Sequence, residues 1–154
     1  MTAYEATTGS ALSGTIGLSV TAATYEARIA QIVFSGGFTD TVGGTSSVFL
    51  ANVYSGSTVS GGSAGPGFAL RQGAPTGAAT VRVSPTVSAF GTQLDANAGL
   101  GGGFSYTHQS PYDFIISPGT TVVAEMSSSG SGSGTFTELC ITIYYEELRL
   151  SWPY

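Results

Sequence analysis

The chain has one histidine, His108, and one cysteine, Cys140, and these limit its chemistry at the outset. Acyl transfer by a hydroxyl needs a base to take the proton and a third group to orient that base. Serines are plentiful, but His108 is the sole base of the usual kind, and it precedes Gln109-Ser110-Pro111 in what reads as a loop. No G-x-S-x-G element sets a serine on a strand-to-helix turn. His108 is therefore read as a loop or interface histidine. A zinc site needs three or four His, Cys or carboxylate ligands, which one histidine and one cysteine do not supply. Cys140 is read as a small strand residue with no partner for an internal disulfide. Calcium needs several carboxylates together. Asp40, Asp95 and Asp113 are isolated in sequence, so such a site would have to be drawn together in space, at a loop or between subunits.

Glycoside hydrolysis needs two carboxylates facing each other. Glu146 and Glu147 are adjacent, so on a strand they point to opposite faces, and they are read as edge charges that discourage wrong strand pairing. The segments GGSAGPG and GLGGG are rich in glycine, but neither carries the lysine and hydroxyl of a phosphate-binding loop. No catalytic, cofactor-binding or metal-ligating residue is assigned. The chain is expected not to be an enzyme and to use no cofactor.

The elements that would position any site are strands. Tyr112–Ile116 is a short apolar run broken by Ser117-Pro118-Gly119, and Thr120–Met126 follows. Ser127–Gly134 contains only Ser and Gly and reads as an exposed hairpin tip before a long strand, Thr135–Glu147. In that strand Leu139, Ile141, Ile143 and Tyr145 alternate with Glu138, Cys140, Thr142, Tyr144 and Glu146, the period of a sheet with one buried face.

Upstream, residues 1–24 read as an N-terminal arm and a first strand at Ile16, Leu18 and Val20. The arm either lies extended on a neighbouring subunit or is a plain disordered terminus. Tyr25–Phe34 is assigned to strand, with a short helix as the alternative, and Gly36-Gly37 is expected to end it before a second strand at Phe38–Val42. Ser46–Tyr54 is a strand with apolar residues on both faces, expected to be covered on both. Ser55–Gly67 reads as a long loop, Phe68–Arg71 and Ala79–Val83 as short strands, Val87–Leu94 as a weaker one, and Ala96–Gly103 as a second Gly-rich loop. Phe104–Thr107 leads to His108. About eight strands, spaced by Gly/Ser/Pro turns, argue one all-β domain over 25–148, a sandwich or a barrel, with a tail at 149–154.

Composition bounds the partners. The 154 residues are 42% hydrophobic and only 8% charged, with no lysine and a net charge of −5. Four scattered arginines, Arg28, Arg71, Arg82 and Arg149, cannot line a phosphate groove, so neither nucleic acid nor an anionic membrane surface is an expected partner. The N-terminus lacks a signal-peptide pattern and no apolar run reaches membrane-spanning length, which suggests synthesis and retention in a cytoplasm. A surface of Ser, Thr, Gly, Asn and Gln is neutral and hydrogen-bonding. It suits burial by other subunits; an ordinary acidic secreted β-domain is the alternative. Trp152 and Tyr154 are large aromatics that need a packing partner, and with Tyr4 and Leu12 they are the candidate intersubunit contacts.

The segment FIISPGTTVVAEMSSSGSGSGTFTELCITIYYEEL resembles the final strands of small jelly-roll structural proteins of tailed bacteriophage virions. In those proteins a strand, a Pro-Gly turn and a second strand lead to a Ser/Gly tip, and a last strand ends in aromatics and glutamates. The resemblance covers about a quarter of the chain closely and the rest by composition. It implies a single-domain antiparallel β-sandwich of jelly-roll type. It also implies a homotrimer located in the virion and assembled in the host cytoplasm. Within that class, a capsid decoration or cement protein bound to the major capsid protein, or to other virion proteins, is expected. The alternative is a tail, neck or fibre protein that binds a receptor or carbohydrate, with Tyr4, Tyr25, Tyr54, Tyr106, Tyr112, Tyr144, Tyr145 and Trp152 as stacking platforms.

Overall fold

The structure, a computed structural model, describes residues 2–7, 14–39, 46–65, 67–68, 77–101, 105–111, 113–131 and 135–148. Every regular element among them is a strand: β1 (Thr2–Thr7), β2 (Gly14–Thr21), β3 (Glu26–Thr39), β4 (Ser46–Ser55), β5 (Thr58–Ser60), β6 (Ser63–Ala64), β7 (Gly67–Phe68), β8 (Thr80–Val83), β9 (Thr86–Ala89), β10 (Thr92–Gly101), β11 (Ser105–Gln109), β12 (Phe114–Ile116), β13 (Thr121–Ser131) and β14 (Thr135–Leu148).

Eight of them nest like a folded hairpin. β1 pairs with β14, β2 with β13, β3 with β11 and β4 with β10, all antiparallel. This nesting deals alternate strands to two sheets, β11-β3-β14-β1-β7 and β10-β4-β13-β2-β8-β6, with β12 also on β3. The result is an antiparallel β-sandwich with jelly-roll connectivity. A third, two-stranded sheet joins β5 and β9.

Period-two patterning sets which residues fill the space between the sheets. Leu139, Ile141, Ile143 and Tyr145 of β14 are buried, as their alternation requires. Phe34, Ile32 and Ile29 on β3 meet Phe49 and Val53 on β4 and Met126 on β13 in the same core. The step from Ile29 to Ile32 crosses a bulge where Tyr144 and Tyr145 oppose Gln31 and Ile29, which keeps isoleucines on one face despite the odd spacing. The turn before β13 has its expected chemistry. Pro118 and Gly119 are its central residues, Gly119 has φ +83°, and Thr120 N–H donates to Ser117 O at 3.0 Å. A type II turn needs glycine at that third position.

Several expectations change. Gly36-Gly37 does not end a strand; β3 runs through both to Thr39 as one strand, and no helix forms there. A Cβ on Gly36 would come within 2.6 Å of Phe49 Cε1 and 2.8 Å of Met126 Cε, so this glycine is a packing residue. The stretch Ser55–Gly67 is not a plain loop, because β5, β6 and β7 lie in it. Val87–Leu94 is split between β9 and β10 at Phe90-Gly91, and the Gly-rich segment from Ala96 to Gly101 belongs to β10. Ser127–Ser131 is not a tip: it is strand, paired with β2 as far as Ser128 and with β4 throughout. Nor do β13 and β14 form a hairpin, since they lie in opposite sheets. β4 is central, yet only its Phe49, Ala51 and Val53 face is buried, and Leu50 on the other face is 41% exposed.

The arm is changed as well. Thr2–Thr7 form β1, paired in this chain's own sheet between β14 and β7, with Tyr4 opposite Thr142. Leu12, Trp152 and Tyr154 lie outside the described residues. No helix among the described residues is long and apolar enough to cross a membrane.

Candidate functional site

The polar groups with chemical potential gather where the two sheets meet along β10 and β11. His108 is in strand β11, opposite Phe34 of β3, and not in a loop. Alternation turns Tyr106, His108 and Ser110 toward the interior: Phe49 and Phe34 on the inner faces are the ring neighbours of the first two, and Ser110 is buried. On β10 the register sets Asp95 opposite Val53 and Asn97 opposite Ala51, both inner positions. A register shift between Gln93 and Asp95 brings this about: the extra residue, Leu94, re-aims the strand so that a carboxylate points inward.

His108 Nε2 lies 2.7 Å from Asp95 Oδ2. The carboxylate only accepts, so Nε2 carries the proton and donates it. Both side chains are mostly buried, 16% and 12% exposed. The imidazole also stacks on Phe34 at 6.0 Å between centroids. One turn of the pleat away, Tyr106 Oη donates to Asn97 Oδ1 at 2.9 Å while its ring stacks on Phe49 at 5.3 Å. Burial, with the charge of Asp95 added, pushes the Tyr106 phenol up to about 12, so the hydroxyl stays a donor. The ring occupies the space over Gly99, where a Cβ would lie 2.2 Å from Tyr106 Cδ2. Two side-chain pairs thus stitch β10 of one sheet to β11 of the other.

An imidazole oriented by a carboxylate is two thirds of a hydrolytic site. The third part is not joined to it. Ser110, two residues on along the same face, is buried, and its hydroxyl makes no hydrogen bond among the described residues. The Ser19 hydroxyl, buried on β2, is likewise unpartnered there. No group of three or more His, Cys, Asp or Glu among the described residues could hold a metal ion. The arrangement acts as a polar clasp between sheets.

The other singled-out residues separate widely. Glu146 and Glu147 do point apart, and they lie beyond the pairing of β14 with β1, where β14 pairs only with β3 among the described residues. Glu146 accepts from Arg28 Nη1 at 2.9 Å, and Glu147 accepts from the Ala79 amide. Arg28 also holds Asp113 through its Nε and Nη2, which keeps the Asp113 carboxyl below its usual range. Cys140 is buried on β14, its sulfur 3.9 Å from Thr142 Oγ1.

The excursion between β4 and β10 folds over part of the second sheet's outer face. Pro85 approaches Gly17 of β2, and Phe90 packs on Tyr54 of β4 with centroids 4.6 Å apart. Val123 and Ser19, outward in register, are consequently fully buried. Glu125 on the same face is partly buried, and desolvation raises its carboxyl above the ordinary value. The half of this face nearest β10 is barer: Leu50, Ala96 and Ala98 are exposed, and the group is neutral. The inward aim of Asp95 is the least visible feature in the sequence, because Asp95 falls between a weak strand ending at Leu94 and a Gly-rich segment from Ala96 that reads as a loop. A T-H-Q run opposite an apolar strand is the one signal for it.

Among known proteins, no family model matches the chain and no curated protein matches it.

Proposed function

We propose that the protein is a structural component of a tailed-phage virion that binds the capsid surface and stabilises the shell. The observation that carries this reading is the bare half of the outer face on β4 and β10, where Leu50, Ala96 and Ala98 are exposed and no charged side chain lies among them. A neutral surface of this kind loses little on desolvation and is stabilised by apolar burial and main-chain hydrogen bonds. Jelly-roll connectivity agrees with the resemblance in the last strands but does not itself define function. The partner is the major capsid protein or another virion protein, and the working form is a homo-oligomer. The test is co-sedimentation with purified shells of the same virus, together with the thermal stability of the shells. Retention on shells and a raised melting temperature are expected; no retention at any ratio overturns the reading.

A second reading, carbohydrate or receptor binding at a tail or fibre, is favoured by one feature. Phe90 is 52% exposed and rests on Tyr54, an aromatic platform at the surface. Loss of glycan binding in Phe90→Ala, on an array where the parent binds, would establish it.

A further inference from the structure

The four sheet edges are built very differently. On the first sheet the outer strands among the described residues are β7, of two residues beside Thr2 and Ala3 of β1, and β11 and β12, of five and three; Tyr4–Thr7 of β1 pair there only with β14. On the second sheet one edge is β6, of two residues. Short edges of this kind are one way in which proteins avoid strand pairing with other chains. The remaining edge is β10, ten residues long and paired only with β4 among the described residues. Of the other protective devices it has two, one bulge near its start and one inward-pointing charge. β10 has no lysine, arginine or proline. Its single charge, Asp95, is turned inward and engaged by His108. Its one irregularity is near the start, which leaves the pairing with β4 from Asp95 to Gly101 regular. Ala96, Asn97 and Ala98, in the middle of the strand, are all exposed.

A row of main-chain N–H and C=O groups with no partner strand among the described residues fits an extended strand as its occupant, and the residue order specifies which. We infer that β10 pairs antiparallel with β10 of a second copy about a two-fold axis at Asn97. In that register Asn97 lies opposite its own symmetry mate, and Ala96 lies opposite Ala98 on the outer side. Asp95 lies opposite Gly99, so the residue facing the carboxylate is the smallest there is. The two Asp95 residues are four positions apart along the pair, about 14 Å at strand rise, beyond the screening length of physiological salt. No like charges meet, and alanines keep the approach of the second backbone open. The contact is isologous, so it closes at two copies and consumes the edge. The joined second sheets become one continuous twelve-stranded layer, with Leu50 of each copy on its outer face beside the seam.

The inference goes beyond the proposed capsid role and does not depend on it. It replaces the three-fold ring implied by the resemblance with a two-fold pair. The test is the mass of the full chain in solution, by sedimentation and light scattering, for the parent and for Ala96→Lys/Ala98→Lys. The lysines fall on exposed positions and would face each other across the axis. A dimer is expected for the parent, with at least a tenfold weaker association for the double variant and an unchanged circular dichroism spectrum. Ala30→Lys, exposed on the first sheet, is the control and should associate like the parent. The register is read by Asn97→Cys, whose symmetry-related Cα atoms fall within disulfide reach in an antiparallel pair. Oxidation should give a covalent dimer through residue 97, whereas Ala30→Cys should not. A parent that is monomeric or trimeric, or a double-lysine variant that associates as the parent does, overturns the inference. Shell binding by the same variants is scored separately, so loss of the dimer with retained shell binding overturns this inference alone.

Discussion

The middle of the sandwich and its β10–β11 flank are closed by opposite means. In the middle, Phe34, Phe49, Ile141 and Met126 fill the gap with no polar side chain among them, and all four are fully buried. At the flank, the sheets are held by Asp95 to His108 and Asn97 to Tyr106, each pair spanning the two layers. The aromatic rings join the regions, because Phe34 stacks with His108 and Phe49 with Tyr106 of the flank. Apolar packing is non-directional and sets the amount of stability. The clasp is directional, and sets how β10 is aimed at the edge it presents to solvent.

The largest predicted effect breaks the comparison from its centre. Phe34→Ala removes a fully buried ring and also the platform under His108. A loss of about 3–5 kcal/mol is expected from the transfer and cavity terms. Urea denaturation measures it, and a loss under about 1 kcal/mol would mean that the two sheets collapse to fill the gap.

Asp95→Ala probes the flank. It leaves His108 mostly buried without its acceptor, and the cost expected for a charge-assisted hydrogen bond is about 1.5–3 kcal/mol. The same substitution should raise amide exchange in β10 and β11 while leaving β13 and β14 protected. Uniform loss of protection would show that the flank and the middle unfold as one unit.

Next is Gly99→Ala, where an added methyl would meet the Tyr106 ring. The ring must move off Phe49 or lose Asn97, at a cost of about 1–3 kcal/mol as for other overpacked sites. Loss of the Tyr106 near-ultraviolet dichroism with an unchanged far-ultraviolet spectrum would localise the damage to the flank. A variant with both spectra of the parent would show that β10 simply shifts outward.

These positions also mark what is legible in the sequence. Where side chains alternate strongly, as in Leu139, Ile141, Ile143 and Tyr145, the buried face is plain from the residue order alone. The Pro118-Gly119 turn is equally plain, because its chemistry is local. The failures share one cause. Gly36, Gly99 and Ser127–Ser131 read as punctuation, since glycine and serine usually leave strands. Here Gly36 and Gly99 are strand residues chosen for space, under Phe49 and Tyr106, and Ser128 is buried in a strand paired on both sides. Such reasons lie in residues distant along the chain. The partnership of Asp95 with His108 depends on the crossing from β10 to β11 and on a register shift, and neither is written in the local pattern.

The smallest predicted effect sharpens the comparison with a third environment, the outer face beneath the β5–β9 excursion. Glu125 lies there between Gly17 and Asn52, and burial raises its carboxyl above the ordinary value of 4.5. A raised folded-state value means that the protonated form is favoured by folding. The contribution to stability is therefore full below the unfolded-state value and is lost as pH rises through the folded one. Asp113 runs the other way, since Arg28 lowers it and its contribution is lost on acidification. The two are separated by comparing the parent with Glu125→Gln across the acid range. The variant should be at least as stable as the parent at neutral pH, and its advantage should shrink as pH falls toward the ordinary glutamate range. A difference that is flat with pH would place Glu125 in water, and the excursion would then be a loose flap over the sheet. A difference that shrinks as predicted would make the covered half of this face part of the interior and leave the β4–β10 half as the surface available to a partner.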